Sequence, residues 1–142
     1  MTETIRTDDD LRELLGEVNG TVFQAAPEGS SWDACARELT TAYQLSKQAV
    51  ERGDPVVYVV HNDDLLGRRG AVGAMVATGL LSAARTLALE TAKAGVSINV
   101  LAVDDTSSND QIAVWVQRLL ESHCPTGEVV HLGATHLGKA LP

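Results

Sequence analysis

Several polar side chains that can do chemistry follow two apolar segments of the sequence, at the points where those segments end. They are His61, Asn62, Asp63, Asp64, Asp104 and Asp105. Neighbouring parallel strands lie about 4.8 Å apart, so these groups can converge at one sheet edge if both segments are strands. A histidine with carboxylates can bind a divalent metal, with His61, Asp63 and Asp104 as candidate ligands. Alternatively, His61 can act as a general base that an aspartate orients.

The competing interpretation of this cluster is that its acidic residues are solvated and cap turns. The sequence has no His-x-His or His-Glu-x-x-His spacing, which favours this interpretation over a metal site. Glu38 is expected at the surface of an amphipathic helix, and His123 and His131 are expected to be structural. Gly133–Lys139, GATHLGK, has the spacing of a phosphate loop, but Ala140 replaces the required Ser or Thr, so a glycine-rich tail is expected.

Segments with alternating strand and helix patterns surround these residues. Val56–Val60 and Val96–Val103 are almost continuously apolar and β-branched, which is typical of strands buried on both faces of a parallel sheet. The other predicted elements are an edge strand or irregular start at Thr2–Arg6, a helix from Thr7 to Val18, a strand at Thr21–Ala26, a helix at Trp32–Arg52, a loop over 61–70, helices at Gly70–Lys93 and Gln111–Glu121, a strand at Glu128–Leu132 and a tail at Gly133–Pro142. This order predicts an α/β fold with three Rossmann-like layers, in which helices flank a parallel sheet of four to five strands in one domain over residues 1–142.

The two long helices differ in composition. The buried face of the helix Trp32–Arg52 is predicted to include Trp32, Cys35, Leu39, Ala42, Leu45 and Ala49. The helix Gly70–Lys93 is instead rich in glycine and alanine, although each interior glycine costs about 1 kcal/mol relative to alanine. Close approach of another backbone is the expected reason for these small residues.

Charge and composition exclude several classes of partner. Nineteen acidic and eleven basic residues give a net charge of −8, which disfavours nucleic acid because phosphate binding needs a positive field. No apolar run approaches the roughly 20 residues of a membrane span, and the N-terminus lacks a signal-peptide core, so a cytoplasmic protein is expected. Cys35 and Cys124 are not clustered in the sequence and are expected to be buried small apolar residues. A disulfide bond between them is the alternative.

Residues 81–103, LSAARTLALETAKAGVSINVLAV, resemble the segment that follows the catalytic Tyr-x-x-x-Lys motif in short-chain dehydrogenase/reductases. In that family a long helix ends in a Leu-Ala-Leu-Glu phrase and the next strand carries Val-Asn. Leu45–Val60 resembles the family's helix and fifth strand, Gly20–Ala26 its fourth strand, and Thr126–Gly133 its closing strand. The resemblance covers nearly the whole chain but only the second half of a family domain, and it implies kinship with NAD(P)-dependent oxidoreductases.

The chemical groups of that family are replaced in this sequence. The position of the family's Tyr falls on Gly73 or Ala74, that of its Lys on Ala77, that of its Ser on His61, and that of its helical Asn on about Glu38. The glycine-rich first βαβ unit, which holds the dinucleotide pyrophosphate, has no counterpart. The groups that carry out hydride transfer in the family are therefore missing from this sequence, and no cofactor is expected.

The resemblance also implies a dimer, because in the family the helices corresponding to Trp32–Arg52 and Gly70–Lys93 form a four-helix interface with a second subunit. The candidate interface residues are Leu39, Tyr43, Gly73, Ala77, Leu80 and Ala84. We therefore predict a non-catalytic interaction or regulatory subunit, whose partner is a second copy or an intact family member. Two alternatives stay open: an NAD(P)-dependent oxidoreductase completed by another chain, and a new ligand or metal site around His61 and the aspartates.

Overall fold

The computed structural model describes residues 4–134, and five parallel strands within them form one sheet. The strands are β1 (Ile5–Arg6), β2 (Thr21–Gln24), β3 (Val56–His61), β4 (Ile98–Val103) and β5 (Val129–Leu132). They lie in chain order, β1-β2-β3-β4-β5, which confirms the predicted Rossmann-like parallel sheet. Most of the phosphate-loop spacing at Gly133–Lys139 and of the predicted tail lies outside the described residues.

Helices cover both faces of the sheet. They are α1 (Asp9–Leu15), α2 (Trp32–Arg52), α3 (Asn62–Leu65), α4 (Ala71–Glu90) and α5 (Asn109–Glu121). Tyr58 and Val60 of β3 belong to the core cluster formed with α2 and α4, whereas Val57 and Val59 belong to the cluster formed with α1 and α5. Since β3 and β4 are buried on both faces, their sequences are continuously apolar rather than alternating.

Local signals define the ends of α1 and α2. Ser31 caps the start of α2 through its side chain, and Gly53 ends the helix in the left-handed region with φ 73°. Helix α1 begins after the predicted start at Thr7, because Asp8 caps it: the Asp8 carboxylate accepts the backbone N–H of Leu11 at 2.8 Å. The acidic start of α1 therefore has a structural role at the positive end of the helix dipole.

Three predictions about burial are wrong. Trp32 is 74% exposed, because it is the first residue of α2 and the buried face of that helix begins after it. Glu38 is only 4% exposed, because its carboxylate pairs with Arg6. Cys124 is exposed in the turn before β5, whereas Cys35 is buried as predicted, and both cysteines are free thiols.

Helix α4 is more apolar than the sequence analysis assumed. Within residues 4–134 it is the one helix long and apolar enough to cross a membrane by length and composition, with a mean hydropathy of 1.5. Of the apolar window that gives this value, 33% is buried inside the chain, and its inner residues, including Leu80 and Ala84, pack against the sheet. The predicted extension to Lys93 is a separate 3₁₀ turn at Ala92–Ala94.

The N-terminal segment, predicted to be either an edge strand or an irregular start, contains the edge strand β1. Ile5 and Arg6 pair in parallel with Val22 and Phe23, so this edge of β2 is covered by its own chain. Helix α1 connects the two strands, and together they form a reduced βαβ unit where none was expected. The turn Thr7–Asp8 between β1 and α1 contains no glycine.

Two glycines of α4 lie beside side chains of different residues of this chain. A Cβ at Gly73 would stand 2.8 Å from Cγ of Asp64, whose carboxylate packs against this turn of the helix. A Cβ at Gly79 would meet only the flexible Cδ2 of Leu39, at 3.4 Å. Gly73 is therefore required by packing inside this chain, whereas Gly79 is not.

We predict opposite effects of alanine at these glycines. Gly73→Ala should lower the free energy of unfolding by about 1–3 kcal/mol, because overlap with Asp64 outweighs the better helix propensity. Gly79→Ala should leave it unchanged or raise it by up to about 1 kcal/mol. Urea unfolding followed by circular dichroism measures both, and equal changes at the two positions would contradict the packing argument.

Candidate functional site

The carboxyl ends of β3 and β4 lie side by side. Most of the polar residues identified in the sequence lie at or directly after these two strand ends. His61 is the last residue of β3 and pairs in register with Val103, the last residue of β4. Helix α3 begins directly at Asn62, so the segment expected to be a loop over 61–70 is partly helical. The chain leaves β4 at the same edge through Asp104.

Both ring nitrogens of His61 have partners inside the chain. Its Nδ1 accepts a hydrogen bond from the backbone N–H of Asp63 at 3.1 Å, so the proton of the neutral ring lies on Nε2. Nε2 donates to Oδ1 of Asp105 at 3.1 Å. The side chain of Asp105 is 94% exposed, whereas that of His61 is 14% exposed. The structure thus joins a histidine and an aspartate, but the ring has no free lone pair with which to take a proton from a ligand.

The other two aspartates after β3 pair with the arginines that follow them. Arg69 donates to the carboxylate of Asp64 from Nε at 3.2 Å and from Nη2 at 3.0 Å. Asp64 itself is 8% exposed. A nitrogen of Arg68 lies 3.6 Å from a carboxylate oxygen of Asp63. The negative charge of both aspartates is therefore balanced within their own segment.

Asp104 organises the turn after β4. Its Oδ1 accepts from the hydroxyl of Thr106 at 2.5 Å and from its backbone N–H at 2.8 Å. The hydrogen bond from the Thr106 hydroxyl is the main cause that lowers the pKa of Asp104. The same carboxylate fills the space beside Gly133, where a Cβ would stand 2.6 Å from Cγ of Asp104. Since the hydroxyl of Ser107 donates to the carbonyl of Leu132, this turn also holds the end of β5.

These groups do not form a metal centre among the described residues. Within residues 4–134, no group of three or more His, Cys, Asp or Glu side chains is arranged to hold a metal ion. Each candidate ligand, His61, Asp63 or Asp104, bonds instead to a protein group of its own segment or of the neighbouring one. Their geometry favours the interpretation that these side chains hold turns in place.

Sequence reasoning misses one polar pair at this edge. Nδ1 of His131, on β5, lies 2.8 Å from Oδ1 of Asn62, which is 3% exposed. Because an amide oxygen only accepts, the proton of His131 lies on Nδ1. Burial lowers the pKa of His131, so the ring is neutral at pH 7. The two residues are 69 positions apart, and no local pattern in the sequence connects them.

Glu38, the approximate counterpart of the family's helical asparagine, is held by an ion pair. Arg6 reaches from β1 and uses both terminal nitrogens on the two carboxylate oxygens, with Nη2 at 2.8 Å from Oε2. The backbone N–H of Ala26 donates to the same carboxylate at 3.0 Å. The pair therefore connects β1, α2 and the segment that follows β2. It engages both carboxylate oxygens of Glu38.

The turn from β1 into α1 does not fit a dinucleotide pyrophosphate. The resembled family holds that group at a helix N-terminus after a glycine-rich turn. Here Asp8 already caps α1, and Asp9 and Asp10 occupy its first turn. These carboxylates satisfy the helix end and repel phosphate oxygens, so this turn does not suit the pyrophosphate of a nicotinamide cofactor.

An apolar groove of about 570 Å³ lies between α2 and α4, away from this edge. Its lining includes Leu39, Ala42, Tyr43, Val50, Gly79, Leu80, Ala83 and Leu87. The hydroxyls of Ser46 and Tyr58, 2.5 Å apart, also line it. Burial raises the pKa of Tyr58, so this phenol stays protonated and can donate to Ser46.

The predicted interface residues divide between this groove and the core. Tyr43 is 67% exposed, and Leu39 is half-buried beside it. Leu80 lines the groove but is almost fully buried. Ala77 and Ala84 are buried in the core against the sheet and therefore present little surface to a second chain.

No protein-family model and no curated protein matches this chain. Among solved structures, it is similar to a Burkholderia xenovorans protein described as a short-chain dehydrogenase/reductase, with 18% identity and a TM-score of 0.66 over 87% of this chain and 65% of that chain. It is similar to a short-chain dehydrogenase/reductase of the glucose/ribitol dehydrogenase type from Brucella melitensis, with 16% identity and a TM-score of 0.70 over 89% and 70%. It is also similar to a Bacillus thuringiensis protein assigned as a 3-oxoacyl-reductase, with 17% identity and a TM-score of 0.69 over 91% and 70%.

These similarities show that the chain has the fold of short-chain dehydrogenase/reductases, as the sequence resemblance predicted. The chain spans 65–70% of the length of the three solved proteins, and less than two thirds of the first. At identities of 16–18% the similarity concerns the backbone, so the chemistry has to be argued from the side chains of this protein.

We predict that His131 makes the fold less stable at mildly acidic pH. Burial lowers the pKa of His131 in the folded state, so the unfolded chain, in which its pKa is about 6.5, is protonated there first as the pH falls. The free energy of unfolding should therefore decline below about pH 6.5 and level off below the folded-state pKa of His131. The variant His131→Asn keeps a donor for Asn62 but does not titrate, so it should lose this part of the slope.

Denaturant unfolding of both proteins between about pH 7.5 and pH 5 measures that slope. The difference between them isolates His131, because every other titratable group is common to both proteins. Identical slopes in the two proteins would contradict the assignment of His131 as a half-buried neutral ring.

Proposed function

We propose that this chain is a non-catalytic protein with a short-chain dehydrogenase/reductase-like fold that acts as a dimeric interaction or regulatory subunit. One observation carries the proposal: the positions that correspond to the family's catalytic groups are occupied by residues engaged in packing or in pairs inside this chain. These positions are Glu38, His61, Gly73 and Ala77.

None of these positions offers a group that the family's hydride transfer needs. Gly73 and Ala77 carry neither a proton donor nor a cation. The ring of His61 uses one nitrogen as an acceptor and the other as a donor within the chain. Both oxygens of Glu38 face Arg6. A general acid or base must reach the reacting group, whereas the side chains of His61 and Glu38 are held by partners within the chain.

The surface of α2 and α4 supports association with another protein chain. Four of the exposed large apolar side chains lie on these two helices: Trp32, Tyr43, Met75 and Leu89. Of these four, Tyr43 lines the apolar groove, and an exposed apolar group at an apolar groove is characteristic of protein interaction sites. Leu89 is 81% exposed, so its burial against a partner would remove a large apolar area from water.

A second copy of the chain is the partner that suits this surface best. In a two-fold dimer each copy presents the same groove and the same exposed side chains, so both copies bury their apolar surface together. Charges of both signs, from Lys47, Glu51 and Glu90, line the groove and can pair across a two-fold axis. The arrangement also agrees with the interface that the family resemblance implies for these helices.

Native mass spectrometry at micromolar concentration, with and without NADH or NADPH, tests this proposal. A dimer whose mass is unchanged by either nucleotide is expected. A nucleotide-bound species would overturn the non-catalytic assignment and favour an oxidoreductase completed by another chain. A retained metal would instead favour a site around His61, and a monomer would overturn the dimer.

We predict that charge at the groove breaks the dimer. Tyr43→Glu should raise the dimer dissociation constant by about 30-fold or more, because it places a carboxylate at the centre of an apolar contact. Val114→Glu is the matched control, since Val114 is an exposed apolar residue of α5 on the other face of the sheet, at 43% exposure. Sedimentation equilibrium measures both constants. Dissociation by Val114→Glu, or none by Tyr43→Glu, would place the interface elsewhere.

A further inference from the structure

The strand β1 is too short to hold itself on the sheet by backbone hydrogen bonds alone. It pairs with β2 over two residues, and the backbone N–H of Val22 donates to the carbonyl of Thr4 at 2.9 Å. Arg12 of α1 adds a hydrogen bond to the carbonyl of Ile5 at 2.5 Å. We call residues 4–7 the N-terminal strap. With so few main-chain contacts, side-chain contacts must supply much of its attachment.

Arg6 makes the main side-chain attachment of the strap. Its guanidinium bonds to both carboxylate oxygens of Glu38, donates to the carbonyl of Gln24 at 2.5 Å and stacks 4.8 Å from the ring centroid of Phe23. The side chain of Glu38 is 5% exposed, so without Arg6 a buried carboxylate would keep only the N–H of Ala26 as a partner. Because an unpaired buried charge is strongly unfavourable, this position requires a cation.

The elements next to the strap are held by contacts that do not involve it. Leu11 and Leu15 anchor α1 in the core cluster with α5, where they are 0% and 2% exposed. On its other side β2 is bonded to β3, for example from the N–H of Ala25 to the carbonyl of Val59 at 2.9 Å. Detachment of the strap therefore leaves an open β2 edge beside the carboxylate of Glu38.

We propose that the β2 edge and Glu38 together form a docking site for an extended protein segment with an apolar residue followed by an arginine. The N-terminal strap, with its Ile5-Arg6 pair, is the intramolecular occupant of this site. Such a segment adds to the sheet as a strand, so main-chain hydrogen bonds give affinity and its arginine gives specificity. The arginine supplies the cation for Glu38 and stacks on Phe23.

The strap controls access to this site. As a tethered ligand it acts at an effective concentration of the order of millimolar, so a segment of another chain binds only when the strap is released. The site lies on the β2 edge rather than in the α2–α4 groove, and it does not depend on the proposed dimer. Failure of one proposal therefore leaves the other standing.

Binding of a fluorescent peptide with the sequence of residues 2–8, Thr-Glu-Thr-Ile-Arg-Thr-Asp, to the full-length protein tests the site. Arg6→Ala should bind it at least about tenfold more tightly than the wild type, because the site is open in a larger fraction of molecules. A peptide with alanine in place of its arginine should not show this gain, and Glu38→Gln in the Arg6→Ala background should abolish it. Equal binding to the wild type and Arg6→Ala, or a gain that survives Glu38→Gln, would overturn the proposal.

Hydrogen exchange of the wild-type protein tests the strap without any substitution. The amide of Val22 bonds to the strap, whereas the amide of Ala25 bonds to β3. Val22 should exchange at least about tenfold faster than Ala25, because the strap opens locally while the β2–β3 pairing stays closed. Equal protection of the two amides would mean that the strap opens only with the sheet, which would overturn the proposal.

Discussion

Burial of β3 and β4 on both faces is the constraint on which the rest of the structure depends. Every residue of β4, and every residue of β3 except His61, is buried. Each strand therefore needs one helix layer on each side, which α2 and α4 provide on one face and α1 and α5 on the other. Full burial of a valine or leucine side chain stabilises by about 1.5–3 kcal/mol, so these layers outweigh any single polar contact at the sheet edge.

This constraint explains why the architecture could be predicted from the sequence. An apolar β-branched run and an amphipathic stripe are local signals, and the observed α2 has the predicted ends, Trp32 and Arg52. The start of α5 is likewise set by a local pattern, a capping box in which the side chains of Ser108 and Gln111 each accept the other's backbone N–H. Some errors arise where a neighbour outside the local pattern decides the outcome, as Asp64 does for Gly73.

The candidate site was less predictable, because its polar partners are distant in the sequence. His61 bonds to Asp105, 44 residues away, and Asn62 bonds to His131, 69 residues away. The order of the strands brings such residues to one edge of the sheet. It does not specify which side chain accepts a hydrogen bond from which other side chain. Sequence reasoning could therefore place the cluster at this edge, but it could not show that the lone pairs and carboxylates are already engaged by groups of the same chain.

Glu38 shows how one polar position at this edge constrains several elements. A neutral amide there would need only hydrogen-bond partners, whereas a buried carboxylate needs a cation as well. Arg6 meets that need because β1 runs parallel to β2, in register with Val22 and Phe23, and thereby brings the guanidinium to α2. In the closed form of the edge, the short strand β1 thus supplies the cation that a buried glutamate at this position needs. The ion pair that attaches the sheet edge is thus the same contact that keeps the Glu38 carboxylate from acting on a ligand.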